Sequence, residues 1–139
     1  MLNKTMLIGH LGAEVEDRCT KKLVAVANFR VATTDRWKDS QGNLREETEW
    51  HRVVAFGRLG EICIQFLAKG SKVYIEGQLR TRKWQDRDGN TRYTTEIIAY
   101  EMKMLGNGDK PGSVPDPPQE EDPPLPEDVP SDCAKRQTR

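Results

Sequence analysis

Three tryptophans define the chemistry this chain can offer. Trp37 lies in Asp35-Arg36-Trp37-Lys38-Asp39, Trp50 precedes His51-Arg52, and Trp84 follows Arg80-Thr81-Arg82-Lys83, so each indole stands within two residues of Arg or Lys. A flat π-face stacks an unpaired base whatever its identity, contributing about 1–3 kcal/mol per base, while neighbouring cations follow the phosphates. The pattern suits a binder of single-stranded nucleic acid. Trp84 continues a polar, basic face with Tyr74, Glu76, Gln78, Arg80 and Arg82, and Trp37, flanked by charge on both sides, favours solvent. For Trp50 and Phe56 core and surface both stay open, because large aromatics are usually substantially buried.

Catalysis finds little support. The histidines are His10 and His51, and there is no H-E-x-x-H, G-x-S-x-G or Walker-type Gly-Lys-Ser/Thr. Glu46, Glu47 and Glu49 form a run that reads as a solvated face. His51 is opposite in parity to Trp50, which suits a structural or subunit contact better than a base. Cys19, Cys63 and Cys133 are widely spaced without C-x-x-C, so reduced thiols are expected rather than a disulfide framework or a zinc site. No cofactor is implied. Asp86-Arg87-Asp88-Gly89-Asn90 is spelled like part of a calcium loop, but an EF-hand needs Gly at its sixth position and Gly89 is the fourth, so a hairpin tip is expected.

The elements that position these residues are short strands and one helix. Val73, Ile75, Gly77 and Leu79 alternate with the polar face above, predicting a strand with an inward odd face. Leu23, Ala25, Ala27, Phe29 and Val31 line one side of a strand over 23–34, and Trp50, Arg52, Val54 and Phe56 share a face of a third over 48–56. Segments 4–11 and 92–102 complete the set. Leu59, Ile62, Cys63, Phe66 and Leu67 fall at i, i+3, i+4, i+7 and i+8, the stripe of an amphipathic helix, with Gly70 as its C-terminal stop. The order β-β-β-α-β-β predicts an all-β domain with one helix, a five-stranded Greek-key barrel of the OB type.

Composition bounds the rest. The 139 residues carry 22 Lys+Arg and 22 Asp+Glu, but 19 and 15 of these lie in 1–110 against 3 and 7 in 111–139. All eight prolines fall in 111–139 and all nine aromatics before it. A segment rich in Pro and acids and lacking aromatics cannot bury enough apolar surface to offset its ordering entropy. The expectation is a folded domain over 1–110 and a disordered Pro-rich acidic tail over 111–139 with a basic C-terminal end. Neither a signal-peptide h-region nor a run of about 18 apolar residues is present, so a soluble, cytoplasmic protein away from the membrane is expected.

At these residues the chain resembles the bacterial single-stranded DNA-binding protein family. The matching blocks are Asn3-Lys4 through Gly9-His10-Leu11-Gly12, Ala25-Val26-Ala27-Asn28 through Ala32-Thr33, Thr48-Glu49-Trp50-His51-Arg52 through Phe56-Gly57, and Lys69-Gly70-Ser71-Lys72 through Arg82-Lys83-Trp84. The resemblance covers residues 3 to 106. It implies an OB fold, a homotetramer, and binding of single-stranded DNA without strong sequence preference during replication, recombination and repair. It places stacking aromatics at Trp37, Trp50, Phe56 and Trp84, and candidate phosphate contacts at Arg52, Lys72, Arg80, Arg82 and Lys83. His51, Tyr74 and Glu76 become candidates for the oligomer interface. Two departures are local: His10 stands where the family typically has Asn, and the Gly-bearing turn near Lys21-Lys22 is missing. A third is at the end, where Glu127-Asp128-Val129-Pro130 lacks the Phe of the family's acidic Pro-Phe tip, so recruitment of replication and repair proteins through the tail is expected to be weakened or altered. Two other classes remain: a dimeric primosomal OB-fold adaptor, disfavoured by retention of all four aromatics, and a nuclease, for which no metal-binding carboxylate cluster is evident.

Overall fold

A computed structural model describes residues 1–106. The expectation for 111–139, and Cys133 within it, lies outside the described residues. Six strands and one helix run in the order β1 (Thr5–Leu11), β2 (Glu16–Cys19), β3 (Ala25–Lys38), β4 (Leu44–Phe56), α1 (Gly57–Phe66), β5 (Lys72–Gln85) and β6 (Thr91–Gly106). The sheet order is β1-β5-β6-β4-β3-β2, and β1 also pairs with β3. That extra pairing, His10↔Ala32 and Leu11↔Val31, closes five strands into a barrel, with β2 appended to the outside of β3. This is the OB fold.

Closure depends on Gly9, where β1 turns from β5 toward β3. A Cβ at Gly9 would lie 2.2 Å from the Ala32 carbonyl oxygen, so only glycine lets the two backbones meet there. Inside, Phe29 and Val31 of β3, Val53 and Ala55 of β4, and Val73 and Ile75 of β5 form the core as their alternation requires. In β6 the inward parity changes: Ile97 and Ala99 are buried, but the next core contact is Met102. Glu76 pairs with Glu101 and Gly77 with Ala99, so Tyr100 is an extra residue, a bulge that turns β6 around the barrel.

Four expectations are corrected. The expected order lacks β2, a strand over Glu16–Cys19. Leu23 belongs to a turn rather than a strand, with φ 62° and about half its surface exposed, and its N–H donates to Thr20 O at 2.8 Å. The helix buries Cys63 and, just past its end, Leu67, while Phe66 stays exposed. Gly70 is not its stop: the chain is already extended at Leu67, and the Gly70 N–H donates instead to Leu11 O at 2.8 Å, tying the following turn to β1. Among the thiols, Cys63 is free and buried, as a reduced thiol was expected to be.

Two hairpins leave the barrel as arms, β3–β4 and β5–β6, and their tips are built alike. Asp39 and Asp86 each accept, through Oδ1, the N–H groups two and four residues on, at 2.8–3.0 Å. Through Oδ2 each binds the Nε of the arginine six residues on, Arg45 at 3.1 Å and Arg92 at 2.9 Å. Gly42 and Gly89 both take φ 80°, the left-handed turn position. The expected hairpin tip at 86–90 is confirmed.

Candidate nucleic-acid interface

β4 and β6 run parallel and pair only from Val53↔Ile97 to Ala55↔Ala99. Before those residues β4 follows β3 and β6 follows β5, so the two arms diverge and a groove opens between them. It has a volume of about 690 Å³ and is lined by Glu49, Trp50, His51, Arg52, Leu79, Trp84, Arg92, Tyr93, Thr94, Thr95 and Ile97. Two tryptophans from different arms thus face one cleft together with Arg52 and Arg92.

Trp84 is half-buried, and its Nε1–H donates to Thr94 Oγ1 at 2.7 Å. Arg82, one of the candidate phosphate contacts, turns inward: its Nε and Nη2 form a bidentate pair with the Glu96 carboxylate, the second bond at 3.2 Å. Arg82 is 14% and Glu96 only 1% exposed. His51 shares the groove, and its Nε2 lies 2.8 Å from Thr33 Oγ1. Partial burial lowers the His51 pKa below the ordinary imidazole value, against an opposing pull from Glu49.

The remaining candidates lie elsewhere. Trp37 is on the β3–β4 arm, 44% exposed and opposite Arg45, but does not line the groove. Phe56 ends β4 at the N-cap of α1, half-buried. Arg80 and Lys83 are exposed on the β5–β6 arm, across from Glu96 and Tyr93. Lys72 lines a second recess, of about 340 Å³, with His10, Thr33, Thr34 and Arg36.

Tyr74 and Glu76 stand on the outward face of β5. Glu76 accepts from Lys4 Nζ at 2.8 Å, Tyr74 Oη at 2.8 Å and Tyr100 Oη at 3.2 Å. The Lys4 ammonium first, and the Tyr74 hydroxyl next, hold its carboxyl below the usual carboxylate range. Exposed Met6 and Ile8 lie alongside, opposite Glu76 and Tyr74 in register.

Residue patterns alone missed Leu79, Arg92, Tyr93 and Thr94. Parity places Leu79 in the core, yet β5 has left the barrel after Gly77 and Leu79 is half exposed. Arg92 and Tyr93 were within reach of the sequence: a hairpin tip at 86–90 sets them opposite Trp84 and Lys83. Among the described residues, no three His, Cys, Asp or Glu side chains converge to hold a metal, and no helix is long and apolar enough to cross a membrane.

A sequence profile of the single-strand binding protein family matches residues 2–105. The chain is 53% identical over 116 residues to single-stranded DNA-binding protein 1 of Chlorobaculum tepidum, covering 83% of this chain and 72% of that one. It is 57% identical over 106 residues to single-stranded DNA-binding protein 1 of Xylella fastidiosa, covering 76% and 78%. The solved structure of a Plasmodium falciparum SSB complex with ssDNA superposes with a TM-score of 0.70 at 34% identity, over 76% of this chain and 96% of that one. With the closed barrel, the helix after β4 and the two arms already in view, these matches show that the chain belongs to the single-strand binding protein family.

Proposed function

We propose that this protein binds single-stranded DNA without sequence preference and shields it during replication, recombination and repair. The observation that carries this reading is the groove in which Trp50 of one arm and Trp84 of the other are brought together with Arg52 and Arg92. Stacking supplies affinity for any base, and Arg52 supplies attraction for the backbone, while Arg92 is already paired with Asp86. A duplex, with its bases already stacked, offers the indoles nothing. Trp37 and Phe56 extend the stacking surface beyond the groove, while Lys72, Arg80 and Lys83 contact phosphates. Arg82, held by Glu96, braces the arm rather than meeting DNA.

The protein works as a homotetramer in the cytoplasm, associated with the nucleoid. The β1–β5 face, with Met6, Ile8, Tyr74 and the Lys4–Glu76 cluster, is the apolar and ion-paired surface best suited to another copy, and His51 with Thr33 offers a further contact. It binds without turnover: a labelled strand incubated with Mg²⁺ or Mn²⁺ stays intact.

The test is intrinsic tryptophan fluorescence during titration with oligo-thymidine, with duplex DNA of equal length as control. Strong quenching by the single strand alone supports the reading. Absence of quenching overturns it. Sedimentation at micromolar concentration gives a tetramer mass; a monomer or dimer mass removes the assembly from the proposal.

A further inference from the structure

Trp37 and Trp84 occupy equivalent places on two arms with the same turn, two residues before the capping aspartate in each case. Their surroundings differ. Trp37 is 44% exposed, whereas Trp84 is half-buried and donates its indole N–H to Thr94 at 2.7 Å. Thr94 sits on β6 opposite Arg82, diagonal to Trp84, a position within reach of a long aromatic side chain. The corresponding place on the other arm, two residues beyond Arg45, is Glu47.

We propose that Thr94 is a positioning residue for Trp84, fixing the indole by its one polar atom so that the ring is already held in the groove before DNA arrives. This rests on the reading that Trp84 stacks a base. An aromatic side chain free to rotate loses that freedom on binding, and one held beforehand does not. The indole has a single donor, so a bond from it to Thr94 fixes one edge and leaves the faces for stacking. Trp84 is on this account the pre-ordered platform of the pair, and Trp37 adapts to the strand.

The experiment compares full-length wild type with Thr94→Val, which removes the acceptor at similar volume, and Thr94→Ser, which keeps it. Affinity for oligo-thymidine falls about two- to tenfold in Thr94→Val, the range of one hydrogen bond, and Thr94→Ser recovers most of the loss. In a Trp84→Phe background, where no indole N–H exists, Thr94→Val has no further effect. In the free protein, hydrogen exchange at the Trp84 indole N–H is slow in wild type and Thr94→Ser and fast in Thr94→Val. Thr94→Ala serves the same comparison should valine not pack. If Trp84→Ala weakens binding but Thr94→Val does not, the proposal fails while the stacking reading stands. It also fails if Thr94→Val costs as much without the indole as with it. If wild type shows no quenching and Trp84→Ala binds as wild type does, the stacking reading itself has failed.

Discussion

Arg82 and Glu96 allow a prediction whose size follows from burial. Glu96 is 1% exposed and Arg82 14%, and two hydrogen bonds join them at the root of the β5–β6 arm. Arg82→Met strips the carboxylate of its cation while leaving it out of water. Breaking a buried pair from one side costs about 3–5 kcal/mol, because the remaining charge is uncompensated, whereas replacing both members with apolar residues is often neutral. With a urea m-value of roughly 2 kcal/mol/M, the midpoint should fall by about 2 M in Arg82→Met and return close to wild type in Arg82→Met/Glu96→Leu. Melts are run at one protein concentration so that assembly does not enter the comparison. The same pair predicts a DNA phenotype. A guanidinium already neutralised by Glu96 releases no counterion from a phosphate, so Arg82→Gln leaves the slope of log K against log salt unchanged, while Lys83→Ala lowers it by about 0.7. An unshifted midpoint in Arg82→Met, or a slope loss in Arg82→Gln equal to that of Lys83→Ala, refutes the reasoning and places the guanidinium on the DNA.

Three further outcomes are expected. Leu23 holds a left-handed backbone conformation that costs an L side chain about 1–2 kcal/mol, so Leu23→Gly should raise stability by about 1 kcal/mol in thermal melts, and an unchanged or lower melting temperature would contradict the strain. Gly9→Ala forces a methyl against the Ala32 carbonyl and should cost about 2–3 kcal/mol or open the barrel seam, with chemical denaturation as the measure. His51 has its folded pKa pushed below the unfolded value near 6.5, so the unfolded chain takes up the proton first as pH falls. Its contribution is therefore complete above about pH 6.5 and declines as pH drops from there toward the folded pKa. In His51→Gln the melting temperature should change less between pH 8 and 5 than in wild type, and an equal change would show that other groups govern that window.

The sequence reveals burial where a strand has one wet face and one dry face, and becomes ambiguous where a strand changes role along its length. Ala27, Phe29 and Val31, and Val73 and Ile75, alternate against a single core and were legible. Leu79 continues the same parity past Gly77, but the strand has passed from barrel wall to free ribbon, a change no local period records. β2 was hidden for the same reason in miniature: four residues, Glu16 to Cys19, are too few and too polar to show a period. Phe66 has helical spacing and yet stays exposed, because the last turn rests on the barrel through Cys63, Ile64 and Leu67 instead. The site was legible as a set of residue types near one another in sequence. What joins Trp50 to Trp84 is the brief parallel pairing of β4 with β6, a long-range contact that only the closed barrel supplies.

That geometry explains why both arms carry the same turn. At offsets of 47 positions, Thr34, Trp37, Asp39, Gly42, Asn43, Arg45 and Thr48 reappear as Thr81, Trp84, Asp86, Gly89, Asn90, Arg92 and Thr95. Outside the barrel there is no core to fix a ribbon's register, so polar contacts must do it. The aspartates lock the tips, and facing threonines join the strands farther in, Thr34 to Thr48 at 3.1 Å and Thr81 to Thr95 at 2.9 Å. Such bonds hold each ribbon's own register. The Arg82–Glu96 pair adds a buried ion pair at the root of the Trp84 arm; at the same offset Arg82 and Glu96 correspond to Asp35 and Glu49, two acids, on the Trp37 side. The difference at the roots runs the same way as the difference at the tryptophans: the held indole stands on the braced arm, and the exposed one on the arm without that brace.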